Sequence, residues 1–196
     1  MIRTIFLAPP GAGKGTQAKK LAEATGAMHL STGEALRLAV KEETPVGLRA
    51  KVYMDAGELA PDEIVLEIVK DSLQKSSEIG WILDGFPRNE KQAIALDVIL
   101  TELNQEKYCV IHFEVPDNIL IERVAKRYEE EGRDDDKYPA VVQARLQTYR
   151  KETAPLIDFY DKQEILKIID GSRSVDTIFD ETQRSLTASA RSQSQF

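Results

Sequence analysis

The chain has 196 residues, 42% of them hydrophobic and 30% charged, a balance that fits one soluble globular unit and excludes disordered or collagen-like chains. At this length folding buries about 70% of the extended chain's surface, so the core needs no staple; the single Cys109 excludes an internal disulfide and starves a structural zinc site. A formal charge of −7 argues against nucleic acid or an anionic membrane as partner, so any anion must be bound locally.

The apolar, β-prone run at residues 2–7 predicts a strand. Pro9 and Pro10 cut it short of a signal-peptide core, and no run nears the ~20 apolar residues of a membrane span, which points to a cytoplasmic protein. Gly11-Ala12-Gly13-Lys14-Gly15-Thr16 follows, then helical spacing at Ala18, Leu21 and Ala22. Short apolar runs return at residues 27–30, 81–83, 108–115 and 165–169. Helical patterns separate them over residues 34–41, 46–55, 62–74, 90–103, 118–128, 140–163 and 175–186. The alternation predicts an α/β protein, a parallel sheet covered by helices on both faces. Two stretches interrupt it. Residues 31–60 hold two helical patterns broken by Pro45, Gly47 and Gly57, which predicts a small helical insert. Residues 128–139 read as a charged loop around Gly132, too polar to bury. Both fall where α/β proteins bind ligands, near the carboxyl ends of strands, and are candidate lids. The polar tail, residues 185–196, is expected to fray.

The strongest local signal is Ala8-Pro9-Pro10-Gly11-Ala12-Gly13-Lys14-Gly15-Thr16, placed between strand and helix as a phosphate-cradling loop must be. Glycines let backbone N–H groups close on phosphate oxygens, the helix N-terminus adds positive potential, and Lys14 supplies a point charge. Ala8 stands where the general G-x-x-x-x-G-K-[ST] pattern has its first glycine, and Gly15 where it has a hydroxyl. With Thr16 one place later, magnesium is expected on phosphate oxygens and water rather than on a side-chain hydroxyl. Asp84 closes the apolar run Trp81-Ile82-Leu83, the pattern that sets a carboxylate beside such a metal, acting through water; the blander reading is a helix cap. Gly85-Phe86-Pro87-Arg88 then offers a guanidinium on a stiff turn. Arg123 and Arg127, four apart on a predicted helix, share a face. His29, His112 and Cys109 read as structural residues.

Taken together, these segments resemble the adenylate kinases, over residues 5–179. The resemblance rests on Pro10 to Thr16, on Ser31-Thr32-Gly33-Glu34-Ala35-Leu36-Arg37, on Met54 to Asp62, and on Asp84-Gly85-Phe86-Pro87-Arg88 with Gln92. It implies a phosphate-loop fold in three α/β/α layers with a five-stranded parallel sheet, a monophosphate-binding insert at 31–60 and a short lid at 127–138. Only five residues separate Arg127 from Arg133, so this is the lid form without zinc. The implied reaction is reversible, magnesium-dependent transfer of the γ-phosphate of ATP to AMP, giving two ADP and balancing the adenine nucleotides. Gly11, Ala12, Gly13, Lys14, Gly15, Thr16, Arg123, Arg127 and Arg173 would then bind ATP. AMP would be met by Thr32 and Arg37, a wall of Glu58, Leu59 and Ala60, and the Gly85-Phe86-Pro87-Arg88 turn. Gln92 would read its adenine edge. Arg133 and Arg145 would close on the phosphates, with Lys14, Arg88, Arg123 and Arg127 completing the catalytic set. Asp135 and Asp136 match carboxylates that pair with arginines in the closed state. The stretch from Lys137 to Pro139 is one residue longer than the usual spacing, which Pro139 absorbs if it begins a helix. A monomer is the family's usual state for this lid.

Two other readings stand beside this one. A pyrimidine nucleoside monophosphate kinase shares Gly-Phe-Pro-Arg-Asn at residues 85–89, although Thr32 and Gln92 favour adenine. A nucleotide-binding switch without transfer activity shares the phosphate loop, but no Asn/Thr-Lys-x-Asp motif is present to read guanine.

Overall fold

The computed structural model describes the backbone of residues 1–192 and the side chains of residues 1–189. Strands β1 Arg3–Leu7, β2 Met28–Ser31, β3 Trp81–Asp84, β4 Cys109–Glu114 and β5 Leu166–Asp170 form one parallel sheet in the order β2-β3-β1-β4-β5. Between and after them run α1 Lys14–Thr25, α2 Thr32–Lys41, α3 Pro45–Ala56, α4 Asp62–Lys75, α5 Glu90–Glu102, α6 Asp117–Glu131, α7 Pro139–Thr148, α8 Pro155–Asp161 and α9 Val175–Ser192. Each strand lies where an apolar run predicted it. Parallel strands buried on both faces need apolar residues at consecutive positions, and that is what those runs supply.

Central β1 sets Ile5 opposite Leu83 of β3 and Val110 of β4. Alternate side chains point to opposite layers. Ile5 and Leu7 join a core with Val69 and Leu73 of α4, Leu96 and Leu100 of α5, and Leu156 and Tyr160 of α8. Phe6 faces the other core, with Leu21 of α1, Leu120 and Val124 of α6, Leu146 of α7 and Ile178 of α9. The insert is made of α2 and α3, and side chains fix its ends. Ser31 Oγ accepts from Glu34 N, Thr44 Oγ1 from Gly47 N, and Pro45 supplies the first turn of α3.

Three expectations are corrected. The helix expected over 140–163 is broken by a π-helical turn at Tyr149–Thr153, where Ala154 N bonds to Tyr149 O. Pro155 has no N–H to continue the α pattern, so the chain widens by one residue before α8 begins there. Helix α6 runs to Glu131, so the segment read as loop starts inside a helix that stops only at left-handed Gly132 (φ 62°). Finally, residues 185–192, expected to fray, belong to α9, whose Leu186 is buried in the second core. The last four positions, 193–196, lie outside the described residues.

Candidate active site

The loop after β1 turns against α6. Gly11 has φ 86°, and a Cβ there would lie 2.7 Å from Leu120 O and 2.9 Å from Val124 Cγ2, so the turn admits only glycine. Gly13, also left-handed (φ 84°), faces open space instead: a Cβ would meet nothing within 4 Å. Helix α1 starts after it without a side-chain cap, leaving its first N–H groups directed at that space, the arrangement that binds anions. Ala8 has no positive φ and its methyl group is buried in the second core, so alanine sits there without strain.

Strand β3 carries Asp84 to the mouth of this loop, level with Phe6 of β1 and Ser31 of β2. Its carboxylate lies 3.9 Å from Lys14 Nζ and 3.4 Å from His29 Nε2. Burial pushes the Lys14 ammonium down to about 8, with Asp84 opposing and Arg88 and Arg127 adding to the fall. Burial works to raise Asp84, but the His29 contact and Lys14 hold it below the usual carboxylate range. An ionised carboxylate is a hard-oxygen donor, which suits magnesium. Among the described residues no group of three or more His, Cys, Asp or Glu could by itself hold a metal ion.

Two chambers open on either side of Lys14. One is walled by the phosphate loop, Arg123, Arg127, Arg133 and Arg173. The other, smaller one is walled by Leu36, Met54, Glu58, Leu59, Ala60 and Pro87, with Thr148, Tyr149 and Thr153 from the end of α7 and the π-helical turn. Lys14, Arg37, Arg88 and Arg145 line both. Burial and the neighbouring Arg145 pull the Arg88 guanidinium down to about 10, so it stays charged at neutral pH. Arg88 Nε donates to Gly85 O at 2.7 Å, and Thr153 Oγ1 donates to Arg88 O at 2.7 Å, which fixes the turn that carries it.

The segment expected to be too polar to bury is in fact where charge is buried, because each carboxylate arrives with guanidinium partners. Asp136 is 5% exposed. It accepts a bidentate pair from Arg127 at 2.6 and 2.9 Å and a bond from Arg145 at 2.6 Å, with Arg133 Nε at 3.6 Å. Asp135 accepts from Arg133 at 2.8 and 3.2 Å and lies 3.1 Å from Arg145 and 3.8 Å from Arg37. Burial works to raise Asp135, yet these arginines hold it at about 2. Pro139 does begin α7, which brings Arg145 to the junction of the chambers.

Not every residue singled out by sequence lines a chamber, and some that do are held by the protein's own groups. Thr32 is buried and spends its hydroxyl on Gly85 O at 2.8 Å. Phe86 packs in the first core. Gln92, 1% exposed, adjoins the lining Arg88, with its amide bonded to Arg88 N and Asp62. Arg123 donates to Gly171 O at 2.8 Å and Ser172 O at 3.3 Å, so it shapes the turn before α9. Arg173 is held by Asp170 and Glu181. His112 is buried with Nδ1 3.2 Å from Leu7 O, as a structural residue would be. His29 differs: it faces Asp84, and the only signal for this was its place on a strand next to the one carrying that aspartate. Thr148, Tyr149 and Thr153 were also missed, since the turn that aims them is invisible to helical periodicity.

The adenylate kinase family profile matches residues 6–165. Among curated proteins, an adenylate kinase of Synechococcus sp. (strain JA-2-3B'a(2-13)) is 51% identical over 91% of this chain and 92% of its own length. One from Leptospira biflexa is 48% identical over 91% and 96%. Adenylate kinase 1 of Nostoc sp. (strain PCC 7120) is 43% identical over 95% and 99%.

Proposed function

The chain belongs to the adenylate kinase family and transfers a phosphoryl group from ATP to AMP to give two ADP; on that premise we propose that the two chambers are its substrate sites and that transfer occurs where they meet, at Lys14, Arg88 and Arg145. The observation that carries this reading is the shared wall. Two spaces open on one lysine and the same arginines, as a reaction between two bound phosphates requires.

ATP lies in the larger chamber, its phosphates on the loop amides, Lys14, Thr16 and the α1 N-terminus, its base against the Arg123-held turn near Gly171 and Arg173. AMP lies in the smaller chamber, between the insert and the Gly85–Arg88 turn, with Arg37 and Arg88 on its phosphate. An oxygen of that phosphate bonds to the γ-phosphorus as the bond to the ADP oxygen breaks. The attacking oxygen carries no proton, so the site needs no general base. Lys14, Arg88, Arg127, Arg133 and Arg145 offset repulsion between the two anions and stabilise charge on the moving group. Asp84 would hold magnesium through water, and the ion would neutralise charge on the triphosphate's oxygens. Residues 31–60 and 127–138 act as insert and lid, excluding the water that would otherwise accept the phosphoryl group. We place the enzyme in the cytoplasm, a reading supported by its lone, buried thiol, and take it as a monomer from the family's usual state for this lid.

Arg88→Ala tests the assignment. Each lost charge-assisted bond is worth about 1.5–3 kcal/mol, so the KM for AMP is expected to rise at least tenfold and by more than the KM for ATP. An unchanged KM for AMP would remove Arg88 from the acceptor site.

A further inference from the structure

We propose that Asp62 is a positioning residue that sets base specificity by fixing the sense of the Gln92 carboxamide, an inference that rests on the reading of Gln92 as the residue meeting the adenine edge. A carboxamide has nearly the same shape with its oxygen and nitrogen exchanged, so only its hydrogen-bond partners decide which end is which. Gln92 has two partners, and each works one way only. The backbone N–H of Arg88 can only donate, and it donates to Oε1 at 2.8 Å. The Asp62 carboxylate can only accept, and it accepts from Nε2 at 2.6 Å. At 1% exposure, Gln92 has no bulk water to stand in for either.

Asp62 is itself held in place. It is the first residue of α4, where the helix dipole favours a carboxylate. It also accepts from Asn89 Nδ2 at 3.2 Å, while Asn89 Oδ1 caps α5 by accepting from Gln92 N at 2.8 Å. The bonds form a ring: Asp62 orients both amides, and Asn89 seats the helical turn from which Gln92 projects.

The consequence is chemical. With one N–H and one lone pair already used, Gln92 keeps one N–H on Nε2 and one lone pair on Oε1, in a fixed order. Adenine presents an acceptor at N1 and a donor at its exocyclic amine, which that order matches. Hypoxanthine presents a donor at N1 and an acceptor at O6, the reverse pattern. To pair with it the amide must flip, which sets Nε2 against the Arg88 N–H and Oε1 against the Asp62 carboxylate. A mismatch of this kind leaves buried polar groups unpaired, the strongest source of base discrimination available to a site.

The test compares AMP with inosine monophosphate as acceptor, in the full-length enzyme with ATP and magnesium, by kcat and KM for each, alongside thermal unfolding. Asp62→Leu is expected to lower the AMP-to-IMP ratio of kcat/KM about tenfold, the loss falling on the acceptor KM rather than on kcat or the KM for ATP. Asp62→Asn should restore most of the ratio, since its oxygen can still accept from Gln92 and Asn89. If the leucine variant does not fold, Asp62→Ser releases the lock while keeping a polar group, and the same fall is expected. Gln92→Leu should abolish the discrimination by itself. A wild-type ratio in Asp62→Leu or Asp62→Ser beside a collapsed one in Gln92→Leu would overturn the role of Asp62 and leave the reading of Gln92 standing. A wild-type ratio in Gln92→Leu would overturn both.

Discussion

Lys14, its side chain 20% exposed, lines both chambers, and in the nucleotide-free protein its ammonium is pushed down to about 8. A bound triphosphate favours the charged form, so binding must take up a proton above that pH. Accordingly, kcat/KM for ATP is expected to fall with a slope near one log unit per pH unit above about pH 8; a flat profile to about pH 9.5 would contradict it. The same shift has a sign for stability. The ordinary lysine value is 10.5, so between about 8 and 10.5 the unfolded chain binds more protons than the folded one, and this group makes the empty protein more stable as pH rises. Asp135 works in the opposite range. Held at about 2 against an ordinary 3.8, it contributes stability above that value, which is lost as pH falls through about 2. Lys14→Met should abolish most turnover while leaving the fold intact; near-normal rates in a folded variant would show that the loop is not the phosphate site.

The elements were legible in the sequence wherever burial and local periodicity agree. All of the strands fell on short apolar runs, and the insert's helices were bounded by Pro45 and Gly57, residues that structure uses as first turn and left-handed stop. Periodicity gave no warning of the π-helical turn at Tyr149–Thr153, because a single inserted residue shifts a face without erasing its pattern. Nor could it show that the charged segment after Arg127 buries Asp136, since neutralisation depends on Arg145 arriving from the next helix. The same turn region ties the insert down: Thr148 Oγ1 donates to Gly57 O at 3.0 Å. Thr148→Val removes that bond and should raise the KM for AMP severalfold, in line with ~0.5–1.5 kcal/mol; an unchanged value would mean the contact does not help close the acceptor chamber.

Across the whole molecule the charge of −7 conceals a cleft of the opposite sign, in which Lys14, Arg37, Arg88, Arg127, Arg133 and Arg145 gather around Asp84, Asp135 and Asp136, with Glu34, Glu58 and Glu131 also on the walls. Asp135 and Asp136 hold that excess together until phosphates take over. Asp136→Ala leaves partly buried guanidinium groups without their shared partner and should cost about 1.5–3 kcal/mol of stability, read as a lowered midpoint of denaturation; an unchanged midpoint would show that the arginines do not need it. The motifs that carry phosphate chemistry were readable because they are contiguous, whereas the division of the cleft into two chambers required Arg37, Arg88 and Arg145 to be brought together from three helices and turns. The most direct test of the account is ADP production from ATP and magnesium with AMP, UMP or CMP as acceptor and water as the control. Strong production with AMP alone is predicted; production favouring UMP or CMP, or none above the water control, would contradict it.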